Sequence, residues 1–169
     1  MILELKNHEE FPITVNLVDN SPEFEFDRED VLRIDQIRVS LSVQHSGDEY
    51  FCQGTVEADV VLECARCLCE YQVAISSPTD FIARSHQLEK AGEKDIPDDE
   101  EYVDLLDNLT ADITPMVRQT IGLTLPMKPI CNENCKGLCS TCGVNKNKKE
   151  CDCKTQEYDE RWEGLSGLF

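Results

Sequence analysis

Ten cysteines lie in a chain of 169 residues, and eight of them form close pairs: Cys64 with Cys67, Cys131 with Cys135, Cys139 with Cys142, and Cys151 with Cys153. Two thiolates spaced C-x2-C can share one tetrahedral ion, because the short turn between them points both sulfurs inward. A glycine just after the second cysteine lets backbone N–H groups turn toward those sulfurs. Cys139, Cys142 and Gly143 fit that description, and the polar loop Val144 to Glu150 would bring Cys151 and Cys153 back to complete a four-sulfur site. Two pairs make one site. The favoured partition therefore gives Cys139, Cys142, Cys151 and Cys153 to one zinc ion. Cys64, Cys67, Cys131 and Cys135 go to another, which would clamp the C-terminal module onto the rest. Spacing alone also allows the pairs to interleave, or one site only to fill. Four thiolates leave no open position for water, so the chemistry expected is structural zinc, one or two ions. Cys52 and Cys69 remain over as packing residues or spare thiols.

Other chemistries fit less well. Cys135-x3-Cys139-x2-Cys142 has the spacing of the iron–sulfur motif in radical enzymes that cleave S-adenosylmethionine, but those carry it ahead of a large α/β barrel, and too few residues follow here. A redox C-x-x-C calls for a surrounding βαβ pattern, which is missing around Cys64. His8, His45 and His86 are scattered, no glycine-rich loop precedes a helix, and the carboxylates are too numerous for any pair to stand out. The expectation is a protein that is not an enzyme.

The formal net charge is −18, and it is unevenly spread. Residues 1–130 hold 10 Lys+Arg against 27 Asp+Glu, whereas residues 131–153 hold 4 against 3. So acidic a body repels phosphate and attracts basic proteins. Arg66, Lys136, Lys146, Lys148 and Lys149 are weak candidates for contact with RNA or a partner; the plainer explanation of the lysines is a soluble loop. No basic start with an apolar run opens the chain, and no stretch approaches the roughly 18 apolar residues that span a bilayer. A cytoplasmic location is expected, where so many cysteines point to metal rather than disulfides. DNA, membrane and small-molecule partners are not expected.

The elements that must position these thiols are legible as patterns. Phe11 to Val18 alternates apolar and polar residues; Ile37, Val39, Leu41 and Val43 do so again, and Val56, Ala58, Val60 and Leu62 follow after turn residues Ser46 to Glu49, predicting a long antiparallel hairpin. Its second strand runs into Cys64, and Tyr71, Val73 and Ile75 give a returning strand, so the first cysteine pair sits at the turn of a meander. Residues 86–101 read as a mobile acidic linker. Tyr102–Leu106 and Leu109–Ile113 are short and strand-like or irregular. Thr114 is expected to cap a helix over about 115–125, with Pro115 at its first position and Met116, Val117, Ile121 and Leu125 facing the sheet. Pro126 and Pro129 end it and lead into Cys131. Trp162, Leu165, Leu168 and Phe169 space like one face of a short terminal helix. The fold class expected is α+β: a mainly antiparallel platform over residues 1–130 with one packed helix, and a Cys-rich zinc module over 131–169.

These residues resemble the YceD-like family, the large ribosomal RNA subunit accumulation proteins. The resemblance is carried by Leu62-Glu63-Cys64-Ala65-Arg66-Cys67-Leu68, by Leu123-Thr124-Leu125-Pro126, by Cys135-Lys136-Gly137-Leu138-Cys139 with Cys142-Gly143 and Asn145, by Cys151-Asp152-Cys153, and by Asp159-Glu160-Arg161-Trp162 with Leu165. Cys69 lies outside it. The resemblance implies a noncatalytic bacterial cytoplasmic factor for accumulation of large-subunit ribosomal RNA, and so a role in ribosome biogenesis, acting on that RNA or on a basic ribosomal protein. The alternative from another class is a cytoplasmic protein that carries zinc or senses oxidants.

Overall fold

The computed structural model describes residues 1–6, 8, 10–20, 26, 28–85, 102–106 and 108–153. The linker expected over 86–101 and the terminal helix expected around Trp162 lie outside the described residues. Among the described residues, seven strands and one helix follow in order: β1 (Ile2–Glu4), β2 (Ile13–Asp19), β3 (Val31–Ser46), β4 (Glu49–Glu63), β5 (Glu70–Ser85), β6 (Tyr102–Leu105), β7 (Thr110–Asp112) and α1 (Thr114–Thr124). Five strands form one sheet in the order β2-β3-β4-β5-β6, and β1 pairs with β7 in a separate two-stranded sheet.

The period-2 pattern dictates which face is buried. On β3, Ile37, Val39, Leu41 and Val43 point inward and lie opposite Ala58, Val56, Gly54 and Cys52 of β4. Their neighbours Arg38, Ser40, Ser42 and Gln44 take the other face, where Arg38 bonds across the strands to Glu57 at 3.1 Å and Asp59 at 2.9 Å. Fully burying side chains of this size stabilises by about 1.5–3 kcal/mol each, so the hairpin is anchored along its length. Met116, Val117 and Ile121 of α1, with Leu125 just beyond it, are buried against β5 and β4.

The antiparallel meander β2-β3-β4-β5 is as its alternation predicts, but the sheet continues with a parallel partner. β6 pairs with β5 from Ile82↔Tyr102 to Ser85↔Leu105. β5 also runs ten residues beyond Ile75, through Pro78, which pairs with Thr55 of β4. Proline lacks the N–H a ladder needs and is tolerated only at an edge; β6 joins β5 only from Ile82 onward, so Pro78 sits where β5 has a described neighbour on one side alone. β1 is too short to register as a periodic pattern.

The start of α1 differs from its expected form. Thr114 is the first helical residue, with Pro115 second, and the preceding Ile113 makes no side-chain cap. The capping oxygen comes from Asp112 instead, whose Oδ1 accepts the Thr114 N–H at 2.9 Å. Bonds from the Thr114 hydroxyl and N–H hold the Asp112 carboxyl below its ordinary range, against the opposing effect of burial. A threonine followed by proline signals a helix start equally well one residue either way; the acid two positions before it decides.

Gly54 marks the tightest point of the β3–β4 pairing. A Cβ there would lie 1.9 Å from the Ser40 carbonyl oxygen and 2.9 Å from Leu41 Cα, both main-chain atoms. Gly54→Ala is expected to destabilise the chain by about 4 kcal/mol or more, because no side chain can move aside. The shift in urea midpoint measures it, and a change below about 1 kcal/mol would show that the two strands part without cost.

Candidate metal centres

Pairing of Glu63 with Glu70 ends the β4–β5 ladder and leaves six residues to turn the chain. The Leu68 N–H bonds to the Cys64 carbonyl at 2.9 Å and the Cys64 N–H to the Cys69 carbonyl at 3.0 Å, with Leu68 in the left-handed region at φ 54. This tight turn aims the sulfurs of Cys64 and Cys67 toward the chain that returns after α1. There Leu125 is extended, and the proline-flanked segment 126–129 leads to Cys131.

Main-chain bonds dock this returning segment on the turn. Ala65 N–H donates to the Pro129 carbonyl at 2.8 Å and Leu138 N–H to the Arg66 carbonyl at 3.0 Å. Gly137 has φ 71, and a Cβ there would press on the Arg66 carbonyl oxygen at 3.0 Å, so both conformation and space call for glycine. The Arg66 guanidinium donates through Nη1 to the carbonyls of Glu133 at 3.2 Å and Cys135 at 3.1 Å. Behind the turn, Arg28 grips the Asp30 carboxylate at 3.0 and 2.6 Å and donates to the Pro126 carbonyl at 2.8 Å, while the Asp30 carbonyl receives Glu63 N–H at 2.8 Å.

The result is a group of four thiols, Cys64, Cys67, Cys131 and Cys135, with all sulfurs within 4.8 Å of one another. Cys64 Sγ is 3.9 Å from Cys135 Sγ, and Cys67 Sγ is 3.6 Å from Cys131 Sγ. Sulfurs each 2.3 Å from a tetrahedral zinc lie roughly 3.8 Å apart, so this donor set fits that ion. Cys64, Cys67 and Cys135 are buried, with Cys69, Tyr71, Ile130 and Leu138 packed around them.

The second group, Cys139, Cys142, Cys151 and Cys153, meets the same 4.8 Å limit. It hangs from the first through a small hairpin: Leu138 bridges Asn145, Lys146 N–H donates to the Gly137 carbonyl at 2.9 Å, and Cys139 N–H donates to the Val144 carbonyl at 2.8 Å. Cys139 is buried, Cys142 is exposed, and Cys151 and Cys153 are half-buried. Of the groupings that spacing allowed, the structure brings together the favoured two groups of four, and the chemistry available is thiolate ligation with no vacant protein-side position.

Local hydrogen bonds already favour the ligating form of Cys64 and Cys135 in the first group and of Cys139 in the second. Burial raises the Cys64 pKa, yet the N–H groups of Cys131, Arg66 and Cys67 outweigh it and lower it to about 6. The backbone N–H groups of Cys142 and Thr141, with the Cys151 thiol, take Cys139 down to about 6. Cys52, by contrast, is pushed up to about 12 by burial in the core and packs as an apolar residue. Cys69 is not spare: its sulfur accepts the Asn145 side-chain N–H at 3.1 Å.

Of the candidate contact residues, Lys136, Lys148 and Lys149 are exposed and Lys146 is half-buried on the hairpin, while Arg66 is engaged with the carbonyls of its own module. Sequence reasoning did not single out Asn147, which donates Nδ2 to Cys135 Sγ at 3.3 Å. The only sequence signal was its place in an asparagine-containing loop between two cysteine pairs.

The family model of the large ribosomal RNA subunit accumulation protein YceD matches residues 52–169. The chain belongs to the YceD family. The stretch matched to YceD starts within β4 and takes in all eight paired cysteines and α1. An uncharacterized protein of Mycobacterium tuberculosis is 32% identical over 143 residues, covering 80% of this chain and 65% of that protein. The chloroplastic large ribosomal RNA subunit accumulation protein YCED homolog 1 of Arabidopsis thaliana is 27% identical over 154 residues, covering 78% of this chain and 48% of its own. Its Zea mays counterpart is 43% identical over 58 residues, 34% of this chain and 18% of that protein. The chain thus spans less than two thirds of the length of these YceD relatives and of the mycobacterial protein. No solved structure matches it. Among the described residues no helix is long and apolar enough to cross a membrane.

The difference in burial between the two groups sets an order of metal loss. The first group has three buried cysteines and an exposed Cys131, the second only one buried cysteine. Zinc-loaded protein mixed with a chelator is therefore expected to release two ions in two phases, the faster from the less buried second group, and Cys139→Ser is expected to abolish that phase while β3–β5 stay protease-resistant. A single phase in the parent protein, or full zinc content in the variant, would refute the ligand assignment. Gly137→Ala is expected to raise the chelation rate of both groups, by about tenfold for a loss near 1.4 kcal/mol.

Proposed function

We propose that this chain is a noncatalytic cytoplasmic factor for accumulation of large-subunit ribosomal RNA, and that it acts by holding a basic ribosomal protein until the RNA takes that protein over. The charge distribution carries this reading. Residues 1–130 bear 27 acids against 10 bases. Arg28, ahead of β3, and Arg33 and Arg38 on it are held by the protein's own Asp30, by Asp35 and Glu70, and by Glu57 and Asp59. The body therefore offers a field suited to a cationic partner. Zinc in the two thiol groups would supply a fixed cross-link and no reaction; the chain's own turn, arginine and glycine hold the module in place around it.

Two specific observations favour other readings. Lys136, Lys148 and Lys149 stand exposed on the hairpin, which supports a direct contact with RNA. The exposure of Cys142 supports zinc delivery or oxidant sensing, which calls for zinc to leave with the fold intact. Loss of folded structure in the module on chelation would count against that second reading.

Sedimentation of cell extract at low and moderate salt tests the proposal, following this protein and large-subunit RNA in the same fractions. Pull-down of basic ribosomal proteins at the same salts completes it. The expected outcome is a complex with one such protein that weakens steeply with salt, present on or feeding immature large-subunit particles. Binding unchanged by salt would overturn the electrostatic mechanism. Protein at the top of the gradient at both salts, with no ribosomal protein retained, would overturn the function.

A further inference from the structure

Asn147 belongs by sequence to the second thiol group, since it lies between Cys142 and Cys151, yet its side chain serves the first. Its Nδ2 donates to Cys135 Sγ at 3.3 Å, and its Oδ1 accepts the Lys136 N–H, next to Cys135, at 2.8 Å. The amide orientation follows from these neighbours, because exchanging its O and N would set an acceptor against the sulfur and a donor against an N–H. Asn145 fixes the arrangement. Its Oδ1 accepts from both the main-chain N–H and the Nδ2 of Asn147, each at 2.9 Å, and its own Nδ2 reaches Cys69 Sγ beside the first group. The loop carrying both asparagines is closed at its ends by Cys142 and Cys151, which are members of the second group.

We propose that Asn147 is a positioning residue of the first metal centre delivered by the loop of the second, so that the two centres load cooperatively. This rests on the reading that both groups bind zinc. A hydrogen bond to the Cys135 sulfur fixes the direction from which that ligand meets the ion. That bond is held in place when the ends of the loop are drawn together by the second ion. Linkage then requires the reverse: an ion in the first centre, by fixing Cys135, orders Asn147 and with it the loop that carries Cys151. Losing a hydrogen bond to a ligand of this kind weakens metal affinity by about 10- to 100-fold.

The test uses the full chain, freed of metal and titrated with Co(II) against a competing chelator, with thiolate-to-metal absorption reporting each centre. The variants are Asn147→Ala, Asn147→Asp, the pair Cys142→Ser with Cys153→Ser, and that pair combined with Asn147→Ala. Asn147→Asp keeps the acceptor for Lys136 and the main-chain bond to Asn145 while removing the Nδ2 donor to sulfur and to Asn145, so compared with Asn147→Ala it separates loss of that donor from loss of the loop's other bonds. The expected result is that each change lowers first-centre affinity about tenfold, that Asn147→Ala and Asn147→Asp both shift the first centre's absorption band, and that the combined variant is no weaker than the cysteine pair alone. First-centre affinity within twofold of the parent in the cysteine-pair variant would overturn the coupling, as would fully additive losses. Fewer than two Co(II) ions in tetrathiolate coordination in the parent would instead refute the metal reading itself, and that outcome shows without any variant.

Discussion

Four sulfurs drawn from two segments far apart in the chain have to meet within bonding distance of a single point. Cys64 and Cys135 are separated by 71 positions and Cys67 and Cys131 by 64. Bringing such segments together costs chain entropy that no isolated thiol contact could offset. The protein meets the constraint by building both segments onto the same end of a sheet before the sulfurs are placed. The turn after β4 is fixed by its own main-chain bonds, and the returning segment is laid against it by the Pro129 carbonyl, the Leu138 N–H and the Arg66 guanidinium. The described residues beyond Cys135 hang from that junction.

The sheet is suited to this because β4 pairs over nearly its whole length with β3 on one side and β5 on the other, and the three bury one apolar face. Arg28 and Asp30 carry that rigidity to the junction, joining the segment ahead of β3, the end of β4 and the exit of α1. The helix contributes mainly by direction: it packs Met116, Val117 and Ile121 on β5 and β4 and releases the chain, extended, toward the turn. Acid on this body and lysine on the hairpin give the fold two surfaces of opposite character.

The two thiol groups are consecutive rather than equivalent. The first is enclosed by Tyr71, Ile130 and Leu138, and its position is set by the sheet. The second rests on a few main-chain bonds from Gly137 and Leu138 and leaves Cys142 exposed. Backbone N–H groups, helped by neighbouring thiols, lower Cys64 in the first group and Cys139 in the second to about 6, and Cys135 is lowered as well, with no neighbouring cation among the causes. In the first group this preparation depends on tertiary contact, since the Cys131 N–H comes from across the junction; in the second it is local to the C-x2-C turn.

The sequence by itself determined the parts whose signal is local. Alternation along β2 to β5 marks the meander and its buried face, the cysteine spacing marks four close pairs whose grouping into two fours the structure decides, and proline and periodicity bound α1 to within a residue or so. Tertiary structure alone decided what depends on contacts between distant segments. The parallel pairing of β6 with β5, the sheet of β1 with β7, and the place of Pro78 follow from which strand edges remain open once the hairpin has formed. Asp112 displaces Thr114 as the helix cap because its carboxylate is held there by the turn out of β7. Arg66 and Asn147 read in sequence as an exposed cation and a loop amide, and they become parts of the first centre because the fold sets carbonyls and a sulfur opposite them. Short-range periodicity records where each residue faces, but the partner it faces is chosen by the closure of the whole chain.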